Sequence, residues 1–535
     1  MLFTQLFFWA FFSIVLLIYS TVYKVNKLRT GYLLAVSLFF YFKTSGVFVV
    51  LLLFTICSDY YWGGQINKTT SHLKRKLFLT VSVILNLTLL CYFKYAYFFV
   101  DSYNQITDEH IKFFNHFAQF SNTFFSTGFS VDKLLLPVGV SFFTFQSLSY
   151  TIDLYRDKIK PVNSIFDYGF FVCFFPHLVA GPIVKAHDFV HQIYQPYKLT
   201  KFEFGMAAFW IINGFCKKIV ADYLAVNFID RIFDSPTYYS GIEMVFGIFG
   251  YSLQIYMDFS GYTDMAIGLA LILGYRLKTN FNSPYKATST SEFWKRWHIS
   301  LSTWLQEYLY IPLGGNRKGT IGSYIAISIL ALFMVLLSGK LWLVLVLMLM
   351  AVMLLVLAYF FPKIKDSLNT NINLMVTMLL GGLWHGSSWL FLIWGGLNGL
   401  GLIIHKQWKK ISPFKNADHV GYKIACVLIT LTFISFTRIF FRSSSLQTVD
   451  TIFYRIGNHF GLDLIFQVIY GYRAVFALMI IGYLIHWIPE RHKEVYRNWF
   501  ACQSYYSMGA MIIFAVFMMY QLMSGEMQPF IYFQF

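Results

Sequence analysis

Apolar runs of about 20 residues recur from one end of this 535-residue chain to the other, and that is the length an α-helix needs to cross the hydrocarbon of a bilayer. They fall near residues 5–22, 32–62 (long enough for two), 77–100, 134–154, 164–183, 204–221, 241–274, 321–338, 341–361, 372–404, 421–441, 473–489 and 505–524. None alternates at period two, which excludes a transmembrane β-barrel. Charged residues make up 13% of the chain, against about a quarter in soluble proteins, and length does not split the chain into soluble domains. The pattern predicts an all-α polytopic membrane protein built as one transmembrane domain. Its parts are N-terminal spans over 1–100, a core over 134–404, further spans over 421–524 and an aromatic tail at 525–535.

The net charge of +17 invites a nucleic-acid partner, but its distribution excludes one. Lys24, Lys27 and Arg29, then Lys68, Lys74, Arg75 and Lys76, and later Lys406, Lys409 and Lys410 sit in short loops between spans. That is the positive-inside pattern, so those loops are predicted to be cytoplasmic. The first residues, "MLFTQ", and the last stretch, "MSGEMQPFIYFQF", carry no basic side chain, and both termini are predicted outside. The opening run has no basic region and no small-residue cleavage site, which predicts a retained span rather than a signal peptide. The more polar segment 101–133 and the segment 442–472 are expected on the outer side. The six cysteines are scattered without metal-ligand spacing and read as packing residues.

The stretch "STSEFWKRWHISLSTWLQEYLYIPLGGNRKG" (289–319) does not read as a span. Ser289 and Glu292 match a capping box. Phe293, Trp297, Leu301, Trp304 and Tyr308 follow helical spacing on one face, while Lys295, Arg296, His298, Gln306 and Glu307 interrupt the apolar run. Such a helix is expected to lie in the interface or dip part-way in from the cytoplasm. Pro137, Gly139, Pro176, Gly181 and Pro182 mark breaks in other apolar runs, as where a membrane protein builds a cavity.

The chemistry concentrates in "NLMVTMLLGGLWHGSSWLFLIWGGLNGLGLII". His385 sits inside this apolar run, and an ionisable side chain there is a functional candidate by default. Gly381, Gly382 and Gly386 permit close approach, and Trp384, Trp389 and Trp394 could wall a cavity. An imidazole suits proton abstraction from a hydroxyl near neutral pH. His298 is either an interfacial side chain or a second polar group facing the same cavity. Lys295, Arg296, Arg317 and Lys318 suit a phosphate-bearing donor or an anionic lipid. Asp258 and Asp264 lie six residues apart, about 600° of helical turn, so they do not share a face and structural hydrogen bonding is the better reading. The tail "QPFIYFQF" places Tyr532 either as an interface anchor or folded back with its hydroxyl presented.

The motifs "DFSGYTDMAIGLALILGYR", "NFNSPYKATSTSEFWKRWHISLSTWLQEYLYIPLGGNR", "FFPHLVAGPI" and "GGLWHGSSW" resemble the bacterial membrane-bound O-acyltransferases (MBOAT). The nearest branch is the alginate O-acetyltransferases of the AlgI type, related to D-alanyl transfer proteins of the DltB type. The resemblance implies a ring of tilted transmembrane helices around a funnel or tunnel, with re-entrant or interfacial helices. It implies His385 as the catalytic histidine, His298 as the second characteristic histidine and Tyr532 as a candidate acyl acceptor. Donor or tunnel contacts would come from Trp384, Trp389, Arg296, Lys295, Asn398 and Asp258, with no metal. The chain departs from the family pattern at Gln306–Glu307, where Arg-Asp is common, and at Asn398, near which many relatives have histidine. No tightly bound cofactor is implied. The substrates would be an acyl donor such as acetyl-CoA or an acyl carrier protein thioester and an extracytoplasmic polysaccharide. A partner of the SGNH-hydrolase type would take the acyl group onward at the bacterial inner membrane. D-alanyl or other acyl transfer to a cell-envelope polymer is the neighbouring alternative. A polytopic transporter or flippase, or a scaffold subunit, is the alternative of another class.

Overall fold

Helices α1 (Leu6–Val22) and α2 (Asn26–Ser45) form a hairpin, and a short turn at Gly46–Phe48 leads into α3 (Val49–Lys68). Helix α4 (His72–Leu90) runs through a single π turn at Cys91–Tyr95 into α5 (Ala96–Thr107), and α6 (His116–Phe125) follows. The computed structural model describes all residues except 1–2, 132–135, 180, 339–341, 361, 415–416, 418, 522–527 and 532–535. Among the described residues there is no β-strand. Helix α7 (Val140–Tyr155) is buried along almost its whole length, although it carries Ser141, Thr144, Gln146, Ser147, Ser149, Thr151 and Asp153. Two of these polar side chains reach across to other elements: Gln146 Nε2 lies 2.7 Å from His177 Nδ1, and Asp153 Oδ2 accepts from Tyr308 at 2.8 Å.

The run 164–183, expected as a span, is not one. It holds α8 (Ile165–Cys173) and the single turn α9 (Phe175–Leu178), after which α10 (Ala186–Ile193) leads out. Nine helical residues rise only about 13 Å. The amide of Asn163, before α8, donates to the Tyr194 hydroxyl just after α10 at 2.9 Å. Entry and exit therefore meet at one end, and the segment is re-entrant. Pro176 at the first turn of α9 is the physical reason, since it cannot supply the hydrogen bond that would continue α8.

Helix α11 (Lys201–Leu224) opens on a complete capping box between Thr200 and Glu203. After the short α12 (Asp230–Asp234), the 32-residue α13 (Gly241–Ile272) opens on another, between Ser240 and Glu243. These two pack along most of their length. They touch backbone to backbone: a Cβ on Gly214 would sit 2.3 Å from the Gly261 carbonyl oxygen. The amphipathic stretch is two helices rather than one, α14 (Thr290–Arg296) and α15 (Ile299–Leu305), followed by a π turn at Gln306–Tyr310. The break falls at Trp297–His298, where His298 takes a left-handed backbone, φ +44°. Ser289 caps α14 by accepting from the Glu292 amide, while the Glu292 carboxylate bonds Thr288 instead of closing the box. The five residues read as one face are nonetheless all buried.

Helices α16 (Ile321–Ser338) and α17 (Trp342–Phe360) precede α18 (Pro362–His385) and α19 (Trp389–Ile411). The 33-residue run 372–404 is thus a tight helical hairpin. The chain ends with α20 (Val420–Arg442), α21 (Leu446–Asn458), α22 (Ile465–Gly471), α23 (Arg473–Trp487), α24 (Glu490–Cys502) and α25 (Tyr505–Tyr520). Among the described residues, four helical stretches are individually long and apolar enough to cross a bilayer, Asn26–Lys68, His72–Asn104, Lys201–Asp234 and Val420–Arg442. The α22–α23 pair passes the same test only when taken together, and it bends by 90°. One hydrophobic core joins α1–α3, α7–α10 and the second half of α13. A second joins α11–α14 with α19–α23.

Candidate active site

Helices α18 and α19 approach so closely that a Cβ on Gly382 would lie 2.3 Å from the Phe391 carbonyl oxygen, and one on Gly395 2.4 Å from that of Met378. The turn between them begins at His385, the last residue of α18. His385 is therefore not in the middle of a helix. It stands where a helix ends inside the protein, and its side chain is 3% exposed.

A helix end leaves carbonyls without intrahelical partners. Here two consecutive residues of the π turn between α4 and α5 supply them. Lys94 Nζ donates to the Trp384 carbonyl at 2.5 Å, and the Tyr95 hydroxyl donates to the Leu383 carbonyl at 2.6 Å. The Lys94 ammonium also lies 3.4 Å from Ser141 Oγ. A cation at a helix C-terminus is stabilised by the helix dipole, and π turns of this kind often occur at functional sites.

His298 is fully buried, with its ring centroid 6.2 Å from that of His385. It is no interfacial side chain. The Asn280 carboxamide oxygen accepts from the Ser300 amide and hydroxyl at 3.0 and 2.9 Å and lies 3.3 Å from His298 Nδ1. An amide oxygen only accepts, so Nδ1 carries the proton in that contact. Phe259 meets the other side of the ring edge-on, 4.7 Å between centroids. Trp384, Trp394 and Phe441 surround His385 at 5.1, 5.0 and 5.4 Å. Phe145 stacks on Trp304 at 3.7 Å and on Trp384 at 5.5 Å, extending the aromatic wall.

Cavities reach His385 from three sides. One, about 540 Å³ with its open mouth included, runs between Lys94, residues 136–142, Val179 and Trp384. A second, about 480 Å³ on the same basis, runs along α15 and α18 past Trp294, Leu305 and Gly381. A third, a narrow crevice with room for little more than a water molecule, passes Trp297, Asn398, Thr437 and Arg438. One imidazole thus borders separate spaces, and it can take a proton from a hydroxyl entering by one while an electrophile enters by another. Among the described residues no group of three or more His, Cys, Asp or Glu could hold a metal ion.

The other residues singled out from sequence divide. Asn398 is buried, donates to the Trp394 carbonyl and Thr437, and lines the third cavity. Trp389 packs on Phe98 at 4.9 Å, in a cluster with Leu330, Leu379 and Leu392, away from the three cavities. Lys295 is exposed. Arg296 pairs with Glu292 at 2.8 Å and donates to the Asn282 carbonyl. Neither lines a cavity at His385, because α14 turns that face outward. Asp258 binds Lys218 at 2.6 Å and accepts from the amide of Ile531 at 2.7 Å, while Asp264 pairs with Lys217 at 2.6 Å. Phe530 and Ile531 are therefore seated inside the protein rather than in the interface; Tyr532 itself lies outside the described residues. The sequence reading missed Lys94, Lys218 and Arg438. Arg438 is buried, lies 4.4 Å from the Trp297 ring centroid and donates to the Ser252 carbonyl and the Tyr285 hydroxyl.

A sequence model of the MBOAT, membrane-bound O-acyltransferase family, matches residues 42–362, a stretch that holds His298 and stops before His385. The probable alginate O-acetylase AlgI of Azotobacter vinelandii is 37% identical over 360 residues, 67% of this chain and 59% of the relative. The chain thus spans less than two thirds of that relative's length. The peptidoglycan O-acetyltransferase of Helicobacter pylori is 32% identical over 474 residues, 83% of this chain and 77% of the relative. The teichoic acid D-alanyltransferase of Bacillus subtilis is 26% identical over 216 residues, 39% of this chain and 54% of the relative.

Proposed function

The chain belongs to the membrane-bound O-acyltransferase family, and from that premise we propose that it moves an acetyl group from a cytoplasmic thioester to a cell-envelope polysaccharide outside the membrane. The single observation that carries this is the buried imidazole of His385 bordering several cavities at once. An acceptor hydroxyl enters by one cavity and the thioester by another. His385 takes the hydroxyl proton as the oxygen attacks the thioester carbonyl. A new C–O bond forms, the C–S bond breaks, and the imidazolium returns its proton to the departing thiolate. His298, close enough to share the field of that site, holds the second polar position. The narrow aromatic walls exclude water, which would otherwise hydrolyse the thioester.

The donor is acetyl-CoA or an acyl carrier protein thioester, and no tightly bound cofactor takes part. The first acceptor is Tyr532 on the tail, and the insertion of Phe530 and Ile531 among buried residues supports this. An SGNH-hydrolase-type partner outside then carries the acetyl to the polymer. The basic loops lie in the cytoplasm of a bacterial inner-membrane protein, and both termini face out. Acetyl is preferred over D-alanyl because relatives with O-acetyl names match over more of the chain and at higher identity. The test is mass spectrometry of the C-terminal peptide after incubation with labelled donor. An acetyl adduct on Tyr532 is expected in the native protein and none in His385→Ala. Acetyl transfer that survives in His385→Ala removes the imidazole from the mechanism.

A further inference from the structure

Lys218 and Asp258 face each other across the close crossing of α11 and α13, both buried, with Asp222 as the second carboxylate on Lys218 at 2.7 Å. A buried ion pair contributes little net stability, because desolvating both charges offsets their attraction. This one has two carboxylates to one ammonium, which leaves acceptor capacity in excess. The chain's own tail supplies what is lacking. Ile531 N–H donates to Asp258 Oδ2 at 2.7 Å, and the third ammonium direction of Lys218 points to the Pro529 carbonyl at 3.5 Å. Between them the Phe530 ring is buried edge-on to Tyr262 at 4.3 Å, with the Lys218 ammonium 4.6 Å from its centroid. Phe530 belongs to one hydrophobic core and Ile531 to the other, so the tail is seated at their junction.

We propose that the Lys218–Asp258 pair is a binding site for the backbone of the chain's own tail, and that it positions the residue after Ile531 for reaction at His385. The neighbours of Asp258 on α13 give the reach. Ile255, one turn before it, lines a cavity at His385. Phe259, the next residue, touches His298, which lies 6.2 Å from His385. Ile531 itself packs in the same hydrophobic core as Trp297 and Trp394, and Trp394 lies 5.0 Å from the His385 ring, so the anchor and the site share one core. Lys218 and Asp258 are positioning residues, acting through the tail. The proposal rests on the reading that the tail is the first acyl acceptor.

The experiment uses the full chain in membranes, with its native cysteines replaced by alanine and Ile531→Cys as a probe that keeps the amide. Labelling by a membrane-impermeant maleimide is followed in this background, with Asp258→Asn and with Phe530→Ala. The carboxamide that Asp258→Asn introduces must turn an NH₂ toward one of two donors. The Phe530 change touches only the tail and leaves the bundle to fold. The expected result is slow labelling that accelerates about tenfold in both variants, with kcat for acetyl transfer falling about tenfold and donor KM unchanged. Equal labelling rates in all three overturn the docking site. Faster labelling with unchanged kcat overturns the positioning role. If the probe is protected and released as expected, yet the native tail peptide never gains an acetyl mass, the docking site stands and the acceptor reading alone falls.

Discussion

A side chain at the end of a helix is only as well aimed as the groups holding that end. His385 is held by Lys94 and Tyr95 on the last carbonyls of α18, so Lys94 is expected to matter without taking part in proton transfer. Lys94→Met keeps the length of the side chain and leaves the Trp384 carbonyl buried and unpaired, a cost of about 1–3 kcal/mol. The loss is expected chiefly in kcat, with donor KM unchanged, measured from initial rates across donor concentration in purified protein. His385→Gln is expected to cost about 10²–10⁴ in kcat, the worth of a general base. If Lys94→Met instead raises donor KM and spares kcat, the lysine belongs to donor binding. His385 was legible in the sequence because an imidazole inside an apolar run, flanked by glycines, demands a reason. Lys94 was not. A lysine near the end of a span reads as a snorkelling side chain, and only the fold sets it against a carbonyl 290 residues away. The helical phase of Asp258 and Asp264 separates them in the sequence alone, but nothing there says that Lys217 and Lys218, adjacent on α11, pair with Asp264 and Asp258 respectively.

Helices in a bilayer gain little from burying apolar surface against one another, so close packing of small residues carries their association. The α18–α19 hairpin depends on this. A methyl group on Gly382 meets backbone oxygen at 2.3 Å, and backbone cannot rotate aside. Gly382→Ala is expected to destabilise the protein by about 1–3 kcal/mol, to spread the turn at His385 and to abolish most transfer. Gly64 on α3 has no neighbour within 4 Å of such a methyl, so Gly64→Ala is expected to gain a few tenths to about 1 kcal/mol from helix propensity alone. Thermal unfolding in detergent compares the two, and shifts of the same sign defeat the packing argument. The long helices were legible because lipid sets their length and composition. The re-entrant 164–183 was not, because a segment buried in protein at membrane depth is as apolar as one that crosses. Nor was the break at Trp297–His298, since a histidine gives no sign that it will adopt a positive φ. The aromatic face of 289–308 was found anyway, because all five of its residues are buried on either side of that break.

At the scale of the molecule, one end is marked by the basic loop at 68–76 and by basic side chains bonded across helix ends. Arg75 binds Asp157 at 2.7 Å, joining the start of α4 to the end of α7. Lys185 binds Glu307 at 2.6 Å and Lys278 binds Asp188 at 2.6 Å. Lys493 after α23 reaches Ser283 at 2.8 Å. The exposed Asp157 carboxyl is held below the usual carboxylate range by its hydrogen bonds from Arg75, so this pair keeps its charge through mild acid. At the other end, the start of α13 pairs with the chain after α21 through Gly241 N–H to the His459 carbonyl, 2.8 Å. The cavity bordered by Lys94 and residues 136–142 belongs to that other end, where α4 finishes and α7 begins. The cavity along α15 and α18 lies toward the basic end, and His385 borders both. On the proposed function, the positive-inside bias gives the molecule a direction: the thioester would approach from the basic end, the ester would be made where it can be collected from the opposite face, and only the acyl group would change sides. Labelled acetyl-CoA added to inverted membrane vesicles is therefore expected to acetylate the protein's tail, and the same donor added to sealed right-side-out vesicles is expected to leave it unlabelled until the membrane is permeabilised. Equal labelling from both faces in sealed vesicles contradicts the direction. Labelling only from the outer face reverses it, and with it the assignment of the basic loops to the cytoplasm.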